Sequence, residues 1–231
     1  MAKKEYLIEL FTRIHKKYDL LNHVLSLYLD KRWRKSLVDQ IGAVNLSRIL
    51  DVCTGTCDLA TELAIRYPEA KIMGIDISDQ MLKIGLVKIK RAGLNGRVIL
   101  QQSDLFHLPF KDGAFDAVSI GFGFRNFHDF RGGIREMVRV LKKNGLLLIL
   151  ELSLPQSPIL KSIYLFYLKN IIPKIGGLIS GSKSSYDYLS SSIIRFPEKD
   201  EVIELLKAEG LRNINYKSLS GGIASIYMGK K

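Results

Sequence analysis

Apolar positions along this chain follow two alternating rhythms. Five short runs, RILDVC (48–53), KIMGID (71–76), RVILQQ (97–102), FDAVSIGF (115–122) and GLLLILEL (145–152), are predicted strands. Between them the spacing turns helical. Ala60, Leu63, Ala64 and Tyr67 stand at i, i+3, i+4 and i+7, with Pro68 just beyond. Ser78 is placed to cap a helix whose Leu82, Leu86 and Ile89 form a stripe ending near Gly93. Ile134, Met137, Val138 and Leu141 repeat the helical period between 130 and 143. The run at 145–152 is nearly unbroken, as expected of a strand covered on both faces.

Strands alternating with helices imply right-handed crossovers and a doubly wound α/β fold with a mostly parallel sheet. Residues 1–45, before the first strand, read as helical and hold Trp33, the only tryptophan. Residues 157–180 (SPILKSIYLFYLKNIIPKIGGLIS) form an apolar insertion broken by Lys161, Lys169 and Lys174. EVIELLKAEG (201–210) is a helix ending in glycine, and LRNINYKSL with GIASIYMG reads as a closing pair of strands. The expected organisation is one domain over 1–231, with a helical cap (1–45), a ligand-binding core (46–152), an apolar helical lid (153–197) and a closing unit (198–231).

Composition narrows the picture. With 47% hydrophobic and 25% charged residues, the 231-residue chain has ordinary globular usage. The opening MAKKEYLIEL lacks the apolar centre of a signal peptide, and no run of 18 apolar residues escapes a charge. Two cysteines are too few for a disulfide framework, so a cytoplasmic setting is expected. The net charge of +12 suits an anionic partner, either nucleic acid or the face of an anionic membrane. The excess is marked in residues 1–35, with nine Lys/Arg against four acids, and in 156–196, with five against one.

The candidate chemistry begins at DVCTGTCDL (51–59). Its CxxxC spacing is not that of a redox pair or zinc ribbon, and the four histidines show no ligand spacing, so no metal is expected. Nothing matches GxxxxGK[ST]. Against GxGxxG only Gly55 is present, with Cys57 and Ala60 at the second and third glycine positions. Such a loop turns tightly at Gly55 toward a ligand that lacks a pyrophosphate. Asp76, at the end of the second strand, is placed to accept from both hydroxyls of a ribose. Asp104 follows the third strand, where it can meet an adenine amine. Asp51, the Gly55–Thr56 turn, Asp76 and Asp104 together describe a nucleoside with an amino-acid tail, and S-adenosyl-L-methionine fits. A deviating NAD site is the other reading.

These stretches also carry a resemblance that covers essentially the whole chain. KYDLLNHVLSLYLDKRWRK (17–35), DVCTGTCDL (51–59), SDLFHLPF (103–110), IGFGFRNFHD (120–129) and SYDYLSSSIIRFP (185–197) resemble the ubiquinone/menaquinone biosynthesis C-methyltransferases. The resemblance implies a Rossmann-like class I methyltransferase with a seven-stranded sheet, helices on both faces, S-adenosyl-L-methionine as cofactor, and a prenylated quinol rather than nucleic acid as substrate. It implies that Thr56, Asp76, Asp104 and Leu105 contact the cofactor and that Gly121 borders its methionine end. It assigns Tyr18, Asn22, Trp33 and Arg125 to the substrate. The chain departs from the family at Cys57, where Gly or Ala is common, at Asp104–Leu105, where Asn–Ala is common, and in FGFRN, usually FGLRN.

On this reading a quinol carbon turns nucleophilic when its neighbouring phenol loses a proton. Arg125, after the fourth strand, is the expected donor to the phenolate, with Asn126 orienting it or the ring oxygen. Asp19, His128, Asp129 and Glu151 are the candidate bases, and His128 has the most suitable intrinsic pKa. The apolar insertion and N-terminal helices are expected to cover the ring and admit the tail, docking at a membrane surface or forming a homodimer. The competing reading is a methyltransferase of RNA or a ribosomal protein. It suits the charge, but GFGF stands where a [DNS]PP[YFW] tetrapeptide would be needed.

Overall fold

The computed structural model describes residues 4–180 and 182–231. Helices α1 (Lys4–Ile14), α2 (Tyr18–Leu25) and α3 (Leu29–Ile41) precede β1 (Arg48–Val52). Then come α4 (Asp58–Arg66), β2 (Lys71–Asp76), α5 (Asp79–Arg91), β3 (Val98–Gln102), β4 (Phe115–Gly121), α6 (Phe130–Val140) and β5 (Leu141–Leu152). The insertion forms α7 (Pro158–Phe166), a π-helical turn (Tyr167–Ile171), α8 (Ile172–Ser180) and α9 (Lys183–Ile194). Helix α10 (Lys199–Ala208) and the hairpin β6 (Arg212–Leu219)–β7 (Ala224–Lys230) close the chain.

The seven strands lie in the order β3-β2-β1-β4-β5-β7-β6. β1 to β5 are parallel, and β7 runs antiparallel between β5 and β6. Strand order reverses between β1 and β4, so their carboxyl ends open a crevice at the point where such sheets bind ligands. Four of the five residues of β1 and all interior residues of β4 but Asp116 are buried, which follows from helices on both faces. Trp33, Leu37, Leu59, Leu63 and Ile89 pack on one face. Ile134, Met137, Val202 and Leu206 pack on the other. A third core joins Leu10 and Leu21 of the first helices to Tyr164, Leu168, Ile172, Tyr186 and Ile193 of the insertion. Helices α1 and α2 therefore meet the insertion in a core of their own, while α3 packs with the sheet.

Ser78 caps α5 as expected, its side chain accepting from the Met81 N–H at 3.4 Å. The stripe on that helix is rotated from the expected one. Leu86 is 57% exposed, whereas Gly85 faces inward. A Cβ at Gly85 would stand 2.2 Å from Cys57 Sγ, so the helix sits close over the β1 loop only because that side chain is missing. A second difference is at Leu141, which begins β5 instead of continuing α6. It pairs in register with Phe115, and a bulge follows before Ala117 meets Leu146. Among the described residues, no helix is long and apolar enough to cross a membrane.

The Gly85–Cys57 approach predicts a coupled pair. Gly85→Ala should lower stability by about 1–3 kcal/mol through overpacking. Adding Cys57→Ala should return part of it, and urea unfolding of the two single variants and the double variant measures the coupling.

Candidate active site

The loop after β1 is built from strained backbone. Cys53 (φ 53°) and Cys57 (φ 68°) take the left-handed region beside Gly55 (φ 56°), at a cost of about 1–3 kcal/mol for each non-glycine residue. Thr54 N–H donates to Ile75 O at 2.9 Å, and Gly55 N–H donates to Asp76 Oδ2 at 2.9 Å. Asp76 Oδ1 accepts from Ser78 N–H, also at 2.9 Å. One carboxylate thus ties the β1 loop to the start of α5. Burial raises the Asp76 pKa above its ordinary value, and the backbone N–H groups oppose that rise. Asp51 is 1% exposed and accepts from the hydroxyls of Thr54 and Ser119, each at 2.6 Å. Burial outweighs those bonds and pushes its pKa up to about 6.

Three spaces meet above these strand ends. A tip cavity of about 140 Å³ is lined by Gly55, Asp76, Asp104, Leu105, Gly121, Asn126 and His128. A small loop pocket of about 30 Å³ is bounded by Arg34, Asp51, Thr54, Gly55, Thr56, Asp58 and Gly121. A cap cavity of about 280 Å³ lies under the helices, with walls that include Tyr18, Asn22, Trp33, Arg125, Leu152, Ile163, Tyr164 and Ile193. Tyr18 and Phe122 belong to all three and form the partition between them.

Two arginines, Arg34 and Arg125, line the cap cavity. Arg125 Nη1 donates to Glu151 Oε1 at 2.6 Å and to Phe122 O at 2.5 Å, while Arg125 N–H donates to Glu151 Oε2 at 2.9 Å. The two side chains are 8% and 0% exposed, and Arg125 Nε has no protein partner. Glu151 raises the Arg125 pKa further against the desolvation that would lower it, so the guanidinium stays charged. Tyr18 has its phenol pKa raised by burial, and the Arg125 charge opposes that rise.

The residues expected at the site divide among these spaces. Tyr18, Asn22, Trp33 and Arg125 come together around the cap cavity, where Trp33 Nε1 donates to Ser220 Oγ at 2.9 Å. Asp76, Asp104, Leu105 and Gly121 gather around the tip cavity; Asp104 Oδ1 accepts from Phe106 N–H at 3.0 Å. Thr56 faces the loop pocket and donates to Asp19 Oδ1 at 2.6 Å. Asn126 accepts from Tyr188 OH at 3.0 Å on the tip side. His128 packs against Phe106 with the rings tilted by 42° and centroids 4.0 Å apart, and it lines the tip cavity, not the one that holds Arg125. Of the other candidate bases, Glu151 is the counterion of Arg125, Asp129 caps α6 through Gly132 N–H, and Asp19 binds Lys88 and Thr56. None of those three lines the cavities.

Sequence reasoning gave no role to Phe122, Tyr164 or Lys88. Phe122 lay inside the quoted IGFGFRNFHD stretch, but Lys88 had no motif to mark it. Its ammonium bonds Asp19 at 2.7 Å, Thr56 at 3.0 Å and also Asp58, joining α2 to the core. His23, Asp30 and Asp58 are the one His/acid trio with metal-like spacing among the described residues. Arg34 already occupies it, donating to Asp30 at 2.5 Å and standing 3.5 Å from Asp58.

A parallel sheet with an antiparallel β7, and a ligand crevice at the β1/β4 reversal, define the class I methyltransferase fold. A solved SAM dependent methyltransferase from Aquifex aeolicus shares it at a TM-score of 0.62 and 17% identity, covering 85% of this chain and 88% of that one. The profile of the ubiE/COQ5 methyltransferase family matches residues 1–231, and the chain belongs to that family. The "Ubiquinone/menaquinone biosynthesis C-methyltransferase UbiE" of Geobacter sp. (strain M21) is 42% identical over 230 residues, 99% of this chain and 97% of the relative. The demethylmenaquinone methyltransferase of Thermotoga maritima is 42% identical over 227 residues, 98% and 96% of the two chains.

The buried Asp51 predicts a pH signature. Its folded pKa of about 6 exceeds the ordinary 3.8, so between those values the native state holds a proton that the unfolded state has released. Stability therefore falls as pH rises through that window. Asp51→Asn removes the slope, and urea titrations at about pH 4 and pH 7 should show the parent losing about 2–3 kcal/mol more than the variant.

Proposed function

We propose that this chain methylates a ring carbon of a prenylated quinol with S-adenosyl-L-methionine. The observation that carries the reading is the partition at Tyr18 and Phe122, with a cavity that presents Asp76 and Asp104 on one side and a largely apolar one, lined by the buried Arg125, on the other. The tip cavity fits the cofactor. Asp76 stands where ribose hydroxyls would donate, and Asp104 with Leu105 offers an acceptor and an apolar wall to an adenine. Gly121 leaves space where a Cβ would approach Leu59 to 3.1 Å. When bound, S-adenosyl-L-methionine supplies an electrophilic methyl group on a sulfonium sulfur.

The protein's work is then alignment and charge. The walls hold the quinol ring at the partition, and holding reacting atoms about 3 Å apart is worth on the order of 7–11 kcal/mol. Arg125 favours the ionised form of a ring hydroxyl placed beside it, and Glu151 fixes the direction of that guanidinium. Ionisation raises electron density at the adjacent ring carbon, which takes the methyl group; loss of the proton on that carbon restores the aromatic ring. Apolar walls from Leu25, Leu29, Leu160 and Ile163 suit the isoprenoid tail.

The exposed face of the insertion suits delivery from a bilayer. Ile159, Ile163 and Phe166, at i, i+4 and i+7 of α7, are 76%, 61% and 60% exposed. Leu178 on α8 and Leu27 on the cap cavity wall are exposed as well, and Lys169 and Lys174 flank them. This is an apolar face bordered by cations, which favours an anionic membrane surface.

Three measurements test the reading. With methyl-labelled cofactor under reducing conditions, label should enter the ring of a demethylmenaquinol analogue; label in neither that ring nor a demethylated benzoquinol would refute it. Arg125→Ala, made with Glu151→Gln so that no buried charge is stranded, should lower kcat by about 10²–10³-fold at nearly unchanged cofactor affinity. Asp76→Ala should instead weaken cofactor binding by about 10–100-fold. Ile163→Glu with Phe166→Glu should abolish sedimentation with anionic vesicles. Loss of a dimer at unchanged vesicle binding would assign that face to self-association.

A further inference from the structure

The loop pocket adjoins the tip cavity, sharing Cys53, Gly55 and Gly121 as walls, and is also bounded by Arg34 of α3. Its walls from the core are carboxylates and hydroxyls: Asp51, Thr54, Thr56 and Asp58. Its one cation among the described residues is Arg34, which reaches in from α3 in the N-terminal cap and also lines the cap cavity. Among the described residues, no lysine or arginine lines the tip cavity. A ligand with its nucleoside in the tip cavity and a zwitterionic amino-acid end in the loop pocket would thus find acids for its ammonium and a single guanidinium for its carboxylate.

Arg34 is held in a way that suits this task. It is 8% exposed, and its Nη1 is fixed on Asp30, which Ser26 Oγ (2.9 Å) and His23 Nδ1 (2.8 Å) fix in turn. The guanidinium lies over the Phe122 ring, 5.3 Å from its centroid. Its other arm is loosely engaged: Nη2 stands 3.5 Å from Asp58 Oδ2, whereas Asp58 has a closer partner in Lys88. The anchored nitrogen sets the plane of the fork, and the loosely held one is free to turn to a new acceptor without stranding Asp58.

We propose that Arg34 binds the α-carboxylate of the cofactor, making α3 of the cap a wall of the cofactor site. The assignment rests on the reading of the tip cavity as an S-adenosyl-L-methionine site. It also gives the ligand a mechanical role, since its two ends touch the core and the cap and draw them together.

Equilibrium binding of three ligands tests it: S-adenosyl-L-methionine, its decarboxylated form, and 5′-deoxy-5′-methylthioadenosine, which lacks the amino-acid end. The parent protein should prefer the carboxylated cofactor over the decarboxylated one by about 10–100-fold, as expected of a charge-assisted bond. In Arg34→Gln the preference should vanish or reverse, because the decarboxylated form carries one more net positive charge into an acid-lined pocket. Methylthioadenosine should bind parent and variant alike, which establishes that the nucleoside site is intact. Arg34→Lys keeps the charge beside Asp30 and should retain only a fewfold preference. Equal binding of both cofactors by the parent protein, or a preference undiminished in the variants, would overturn the assignment. Binding of neither cofactor nor methylthioadenosine to the parent would instead overturn the cofactor site itself.

Discussion

The site depends on the Asp76 carboxylate, which accepts one backbone N–H from the β1 loop and another from the start of α5. Burial alone would drive this group to its neutral form, in which it would lose one acceptor oxygen. The two N–H donors offset that tendency, and in return the carboxylate holds Gly55 and its left-handed neighbours in a conformation they would otherwise leave. Strain in the loop and burial of the acid are thus mutually supporting. Neither would persist without the other, and the shape of the tip cavity and the loop pocket follows from their combination.

Around that centre, an aromatic wall separates the cavity that presents Asp76 and Asp104 from a largely apolar one that two arginines enter. Tyr18 and Phe122 help close off a largely apolar cavity lined by Arg125, whose Nη1 is held by Glu151 and Phe122 O while its buried Nε has no protein partner. Lys88, Arg34, Asp19, Asp30 and Asp58 form an ionic seam between cap and core, of which Arg34 and Asp30 also reach the wall of that cavity. A fully buried pair such as Arg125–Glu151 contributes little net stability but is costly to break by halves. Its value here is direction: it leaves a guanidinium whose orientation does not relax toward each arriving oxygen. The partly exposed seam is softer, as a boundary that must admit a ligand has to be.

Most of the sheet was legible in the sequence because its signals are local. Continuous apolar runs set β1 to β5 within a residue or two, except where β5 begins earlier, at Leu141. There, pairing with Phe115 outweighs a helical spacing that Leu141 also satisfies. Leu86 misled for a related reason: periodicity counts large apolar residues, and the inward position belongs to Gly85, which has no side chain to count. At the site, Asp51, Asp76 and Asp104 could be read from their places at strand ends, since the fold itself brings those ends together. The cap could not be read in this way. Lys88 meets Asp19 and Asp58 across long stretches of chain with no repeating pattern, and the place of His128 is set by its packing against Phe106, not by its intrinsic acidity.

The wide turn at Tyr167–Ile171 sets the phase of everything that follows it in the insertion. It makes α7 and α8 one continuous rod in which Tyr167 OH reaches Leu25 O (2.9 Å), Ser190 Oγ donates to Leu168 O (2.5 Å), and Gly176 abuts the Tyr186 ring. Each residue added to or removed from a helix rotates its continuation by about 100°. Shortening this rod by a single residue would therefore swing Ile172 and Gly176 off their partners and present a different side of α8 to the outside. The rod behaves as an angular vernier, in which one surplus residue fixes which face is hidden and which is shown.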